Sequence, residues 1–125
     1  MSAKHLEALK EHRKALVLAA GQVVSKCLPD SDSVKKWNKS QLPKLSAVCA
    51  QAECAEEIES YLRYQAARRN PPWPHEVVKA LFRELEPILK GLTDHDKVSA
   101  WLLFSTYLTR EYTYRAFVLK EEGGR

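Results

Sequence analysis

From Thr93 to about Lys120, apolar residues recur every three or four positions on two sides of what reads as one long helix. One stripe is Val98, Trp101, Leu102, Ser105, Leu108, Tyr112, Ala116 and Leu119. The second is Phe104, Tyr107, Tyr114 and Phe117. A helix with this much apolar surface must be covered nearly all round, by its own bundle or by a partner. Thr93 opens it, because Thr93-x-x-Asp96 resembles a capping box with Asp in place of the usual Glu.

The remaining chain supplies helices to surround it. Leu6, Leu9, Leu16, Ala20, Val23 and Cys27 form one face of a first helix ending near Ser25 to Leu28. Pro29-Asp30-Ser31-Asp32-Ser33 and the basic stretch up to Lys39 read as the longest loop, with one short helical turn around Trp37. Ser40 is placed to cap a second helix, with Pro43 in its first turn, where no intrahelical donor is missed. A third helix starts near Ala55, with acids at its positive end, and runs to Arg69. The stretch Asn70-Pro71-Pro72-Trp73-Pro74 cannot be helix interior. A fourth helix spans about Pro74 to Leu92, kinked or broken at Pro87. The expectation is an all-α chain, a single compact bundle of about five helices over residues 1–125, with 121–125 a frayed tail.

Glycine is scarce, at 4 among 125 residues, and helix formers dominate. The longest apolar run, Ala15 to Ala20, is six residues, far short of the roughly 20 a membrane helix needs. The amphipathic N-terminus does not read as a signal peptide, so a cytoplasmic location is expected. Cys27, Cys49 and Cys54 lie among apolar neighbours and read as reduced thiols. No cofactor or metal is expected, since His5, His12, His75 and His95 are scattered without ligand spacing.

Catalytic signatures are equally sparse. Asp94-His95-Asp96 invites comparison with metal-dependent phosphohydrolases, yet no further ligands accompany it, and acids in a first helical turn explain it. There is no Gly-rich phosphate loop, no G-x-S-x-G and no H-E-x-x-H. A DNA-reading helix-turn-helix across Ala52-Glu53-Cys54 would present an acidic turn to phosphates.

The net charge is +4, and residues 1–52 hold nine Lys/Arg against four acids. Lys35, Lys36, Lys39 and Lys44 surround the start of the second helix. Arg63, Arg68 and Arg69 form an acid-free cluster with Tyr64 and Trp73 nearby. Such groups either form a solvated face or hold RNA, with arginine contacting phosphate and aromatic rings stacking on bases.

The pattern Ser40-Gln41-Leu42-x-Lys44, then Tyr64-Gln65-Ala66-Ala67-Arg68-x-Asn70, then an aromatic-rich last helix and Gly-Gly, resembles the small subunit of the type III-A CRISPR Csm effector complex. The similarity runs loosely from about residue 38 to 124, with the Pro-rich connector unmatched. It implies a helical, non-catalytic protein stacked along a guide RNA–target RNA duplex beside other subunits of the complex. It also implies RNA-facing roles for Gln41, Lys44 and Arg68. Where that family usually carries a basic residue before the lysine, this chain has Pro43, which shifts a phosphate contact toward Lys39 or Arg69. With Arg63 from the basic cluster, these residues are the candidate RNA contacts. Phe104, Tyr107, Tyr114 and Phe117 are the candidate protein interface, for self-association or docking to neighbouring subunits. The equivalent subunit of the type III-B complex and a helical adaptor that binds only protein remain open as alternatives.

Overall fold

The structure, a computed structural model, describes residues 9–123. Six helices follow in order: α1 Arg13–Cys27, α2 Ser31–Lys36, α3 Gln41–Gln51, α4 Ala55–Ala67, α5 His75–Leu89 and α6 Asp94–Gly123. The fold is all-α, and no strand occurs among the described residues. The long α6 is the axis on which α1, α2, α3 and α4 pack, while α5 packs against α1 and α4. Buried side chains from Leu9 to Leu119 form one contiguous core. Its largest members are Trp37, Trp73, Trp101, Tyr112 and Phe104.

Local sequence explains most helix ends. Thr93 Oγ1 accepts the Asp96 backbone N–H at 3.2 Å, the Thr93 contact of the expected capping box at the start of α6. After α5, Gly91 at φ 85° supplies the left-handed turn toward α6. The end of α1 is held from a distance, because Arg115 Nε donates to the Leu28 carbonyl at 2.9 Å. A charged donor thereby satisfies a carbonyl that the helix cannot.

Several sequence expectations are corrected. The stretch after Pro29 is not a loop but α2: Asp30 Oδ1 accepts both the Ser33 N–H at 3.0 Å and the Ser33 hydroxyl at 2.8 Å, which caps a six-residue helix. Among the described residues, this short helix is the one that the sequence pattern does not mark. Ser40 makes no side-chain cap to α3. Asn38, two residues earlier, supplies a side-chain acceptor instead, its Oδ1 accepting the Ser40 N–H at 2.8 Å. The third helix stops at Ala67 rather than Arg69, as Arg68 turns to extended backbone.

Pro87 does not break α5, which continues to Leu89. Leu85 and Leu89, buried on either side of the proline, anchor the last turn and override its lost hydrogen bond. At the C-terminal end α6 runs through Gly123, so residues 121–123 of the expected tail carry helical backbone. At the other end, a turn at residues 11 and 12 separates the helical residues 9 and 10 from α1. The expected start of the first helix at Leu6, His5 beside it, and the chain end at Gly124 and Arg125 lie outside the described residues.

The second stripe of α6 divides. Phe104 is fully buried and belongs to the core, not to an interface. It lies three residues after Trp101 and four before Leu108, the spacing that puts all three on one arc, and its ring meets Trp101 edge-on at 6.1 Å. Tyr107 is half-buried, with the Arg110 guanidinium 6.0 Å from its ring centroid. Only Tyr114 and Phe117 of this stripe are exposed, at 65% and 58%. No described helix is long and apolar enough to cross a membrane.

Candidate nucleic-acid interface

Two basic segments sit at the ends of a single aromatic knot. Trp37 follows α2 and Trp73 closes the Pro-rich connector after α4, and both are fully buried. Their ring centroids lie 5.6 Å apart. Tyr112 of α6 meets Trp37 edge-on at 5.1 Å, and its hydroxyl donates to the Trp37 carbonyl. Lys36 and Lys39 therefore lie within two residues of one tryptophan, and Arg69 within four of the other. Since each residue spans at most about 3.6 Å of chain, the knot tethers both basic segments to its own neighbourhood.

Tyr61 of α4 borders this knot. Burial pushes its phenol up, while the Trp73 indole and the Arg68 charge act in the opposite direction. The Trp73–Tyr61 approach falls short of a full hydrogen bond. The indole N–H groups of Trp37, Trp73 and Trp101 have no hydrogen-bond partner among the described residues. Each unpaired group costs about 1–3 kcal/mol, which the burial of three large apolar rings must offset.

The backbone at the start of α3 has little left to offer an anion. The Ser40 N–H goes to Asn38 Oδ1, Gln41 N–H to the Asn38 carbonyl and Leu42 N–H to the Lys39 carbonyl, each within 3.1 Å. Pro43 has no N–H. Any phosphate contact here must come from side chains, and both Lys39 and Lys44 are exposed while Gln41 is half-buried.

At the far end of α4, Arg68 Nη1 donates to Gln65 Oε1 at 2.9 Å, and its guanidinium lies 6.0 Å from the Tyr64 ring centroid. Arg69 is exposed beside it. Lys39, Lys44, Arg68 and Arg69 make no ion pair with any other described residue. The following connector is stiff, with Asn70 in the left-handed region at φ 53°, three prolines and a buried tryptophan. Arg68 and Arg69 are therefore presented from a backbone with little freedom to collapse.

Arg63 is not brought to this cluster. It pairs with Glu59 at 3.3 Å one turn earlier and lies 5.3 Å from the Phe82 ring centroid on α5. Its partners Glu59 and Phe82 line a separate cleft of about 440 Å³ between α4, α5 and α6, with Leu85, Leu89 and Trp101 as further apolar lining and Glu56, Glu86, Lys90 and Lys97 as charged lining. Trp73, which the sequence places among the arginines, is sealed in the core. Tyr64, 64% exposed, is the aromatic that accompanies them. The four-residue step from Tyr64 to Arg68 was a legible signal for this pairing. The role of Trp37 was not legible, because charged and polar residues flank it on both sides.

Among known proteins, no family model matches the chain, and no curated protein and no solved structure matches it significantly.

Proposed function

We propose that this protein is a non-catalytic, cytoplasmic RNA-binding subunit of a ribonucleoprotein, of the kind represented by the small subunit of type III-A CRISPR Csm complexes. It holds guide and target RNA through their backbones. The observation that carries this reading is the pair of basic segments, Lys39 with Lys44 and Arg68 with Arg69, fastened to one aromatic knot and not neutralised by ion pairs among the described residues. Backbone contacts suit a protein that must accept any sequence, because base pairing between guide and target already carries specificity. Arg63, engaged with Glu59 and Phe82, has the weakest claim among the candidate contacts. Gln41 supports the lysines as a neutral donor beside them.

The exposed Tyr114 and Phe117, which with Thr109, Arg110 and Thr113 line a shallow apolar groove, favour a second role in the same assembly. We assign this face to contacts with neighbouring subunits or with a second copy. If it were the only functional surface, the protein would be an adaptor that binds protein alone.

RNA binding separates the two readings. Unrelated single-stranded RNAs should bind with similar affinity, and log K should fall with log salt by a slope of about 0.7 per phosphate contact. Arg68→Glu should weaken all sequences alike. Salt-independent binding, or none by the protein alone and in its complex, would leave the adaptor reading.

A further inference from the structure

We infer that Tyr64 is a stacking platform for an unpaired nucleobase, a base-binding site set among the phosphate contacts. The inference rests on the RNA-binding reading proposed above and adds a distinct chemistry to it. Of the chain's aromatic residues, the tryptophans are buried at 1% exposure or less, so none can meet a base without unfolding. Tyr114 and Phe117 are exposed on α6, while Tyr64 is exposed on α4 in the acid-free segment that carries Arg63, Arg68 and Arg69.

The setting of its ring is what distinguishes it from an ordinary surface tyrosine. One helical turn separates Tyr64 from Arg68, and the Arg68 guanidinium lies 6.0 Å from the ring centroid. That guanidinium is itself held by Gln65 Oε1 at 2.9 Å. A cation against one face leaves the opposite face to accept a base, producing a base–phenol–guanidinium stack in which the cation also strengthens the ring's hold. No acid lies between Glu59 and Glu76, so the approach of a phosphate linked to that base is not opposed from within this segment. Arg69, exposed in the next position of the stiff connector, is placed to take that phosphate.

The ligand class is therefore single-stranded RNA with at least one splayed base, purines better than pyrimidines because their ring area is larger. Duplex RNA keeps its bases stacked in the helix and would offer this site only phosphate and ribose. Sequence tolerance survives, since every base has a π-face.

The test compares an oligoadenylate RNA with an abasic ribose-phosphate strand of equal length, each titrated against the full-length protein and its Tyr64→Ala, Tyr64→Phe and Arg68→Glu variants. The wild type should bind the oligoadenylate about tenfold or more tightly than the abasic strand, the lower part of the range for one aromatic stack. Tyr64→Ala should abolish that ratio without changing the melting temperature, and Tyr64→Phe should keep it. A 2-aminopurine in the strand should be quenched by the wild type and by Tyr64→Phe, and not by Tyr64→Ala. Equal binding of the two strands, with affinity still lost in Arg68→Glu, overturns the stacking site and leaves phosphate binding intact. If neither strand binds the wild type, the RNA reading falls and the stacking site with it.

Discussion

Replacing Tyr112 by phenylalanine removes one oxygen from the centre of the aromatic knot and leaves the rest in place. The ring is 1% exposed, and its edge-on contact with Trp37 at 5.1 Å does not involve the hydroxyl. What is lost is the hydrogen bond to the Trp37 carbonyl and a longer approach to the Val34 carbonyl at 3.5 Å. No other described donor reaches the Trp37 carbonyl, so the change strands an acceptor in the interior. Stranding a buried group costs about 1–3 kcal/mol, and about 2 kcal/mol is the expected loss, with no cavity to add. For a chain of this size that corresponds to a fall of about 6–12 °C in Tm. Chemical denaturation followed by helical circular dichroism measures it directly.

The same variant carries a pH signature. Burial raises the Tyr112 phenol above its ordinary 10.0, so the folded state holds this proton more tightly than the unfolded chain. The associated stability is fully present below pH 10.0 and is lost as pH rises through the folded-state value. The alkaline loss of stability should therefore be shallower in Tyr112→Phe than in the wild type. A stability change below about 0.5 kcal/mol, within the range of unremarkable surface substitutions, would refute the closed knot.

Other expectations follow from burial. Phe104→Ala should cost about 3–5 kcal/mol in the isolated protein, read by denaturant midpoint, because the ring is core; a loss confined to complex assembly would return it to an interface. Tyr114→Ser with Phe117→Ser should leave Tm nearly unchanged while abolishing self-association in sedimentation or incorporation into the complex. Cys49, whose thiol burial pushes up to about 12 from 9.0, should resist thiol reagents at pH 8 until the protein unfolds, whereas the half-buried Cys27 and Cys54 should react in the folded state. Its raised pKa also adds stability that is complete below pH 9.0 and declines toward about 12, a decline that Cys49→Ala should remove.

Periodicity carried the all-α architecture and most of the helices, because Val77, Leu81, Leu85 and Leu89 or Trp101, Leu108 and Tyr112 repeat at the spacing that one buried arc requires. It was weakest where a residue serves two patterns. Phe104 reads as part of an outer stripe by its relation to Tyr107, whereas its relation to Trp101 and Leu108 decides its side. The helix α2 was hidden because it contributes no buried residue, so nothing periodic marks it, and Asp30 and Ser33 signal a turn as readily as a cap. Among candidate contacts, Lys39, Lys44, Arg68 and Arg69 could be named from charge, but their common tether could not. It depends on Trp37, Trp73 and Tyr112 meeting from three distant segments, and no local rule joins them.

That meeting has a consequence for the order in which the molecule becomes competent. The hydrogen bond that closes the knot joins residues 75 positions apart, so it forms only after the ends of a long loop have been brought together, against the entropy of closure. During synthesis every lysine and arginine of the proposed surface is added to the chain before Tyr112. Until then Trp37 lacks the ring that packs against it and the hydrogen bond that closes the knot beside the two basic segments. A nascent or truncated chain ending before α6 would carry the full basic charge without its arrangement, and would meet RNA as a loose polycation rather than as a shaped surface.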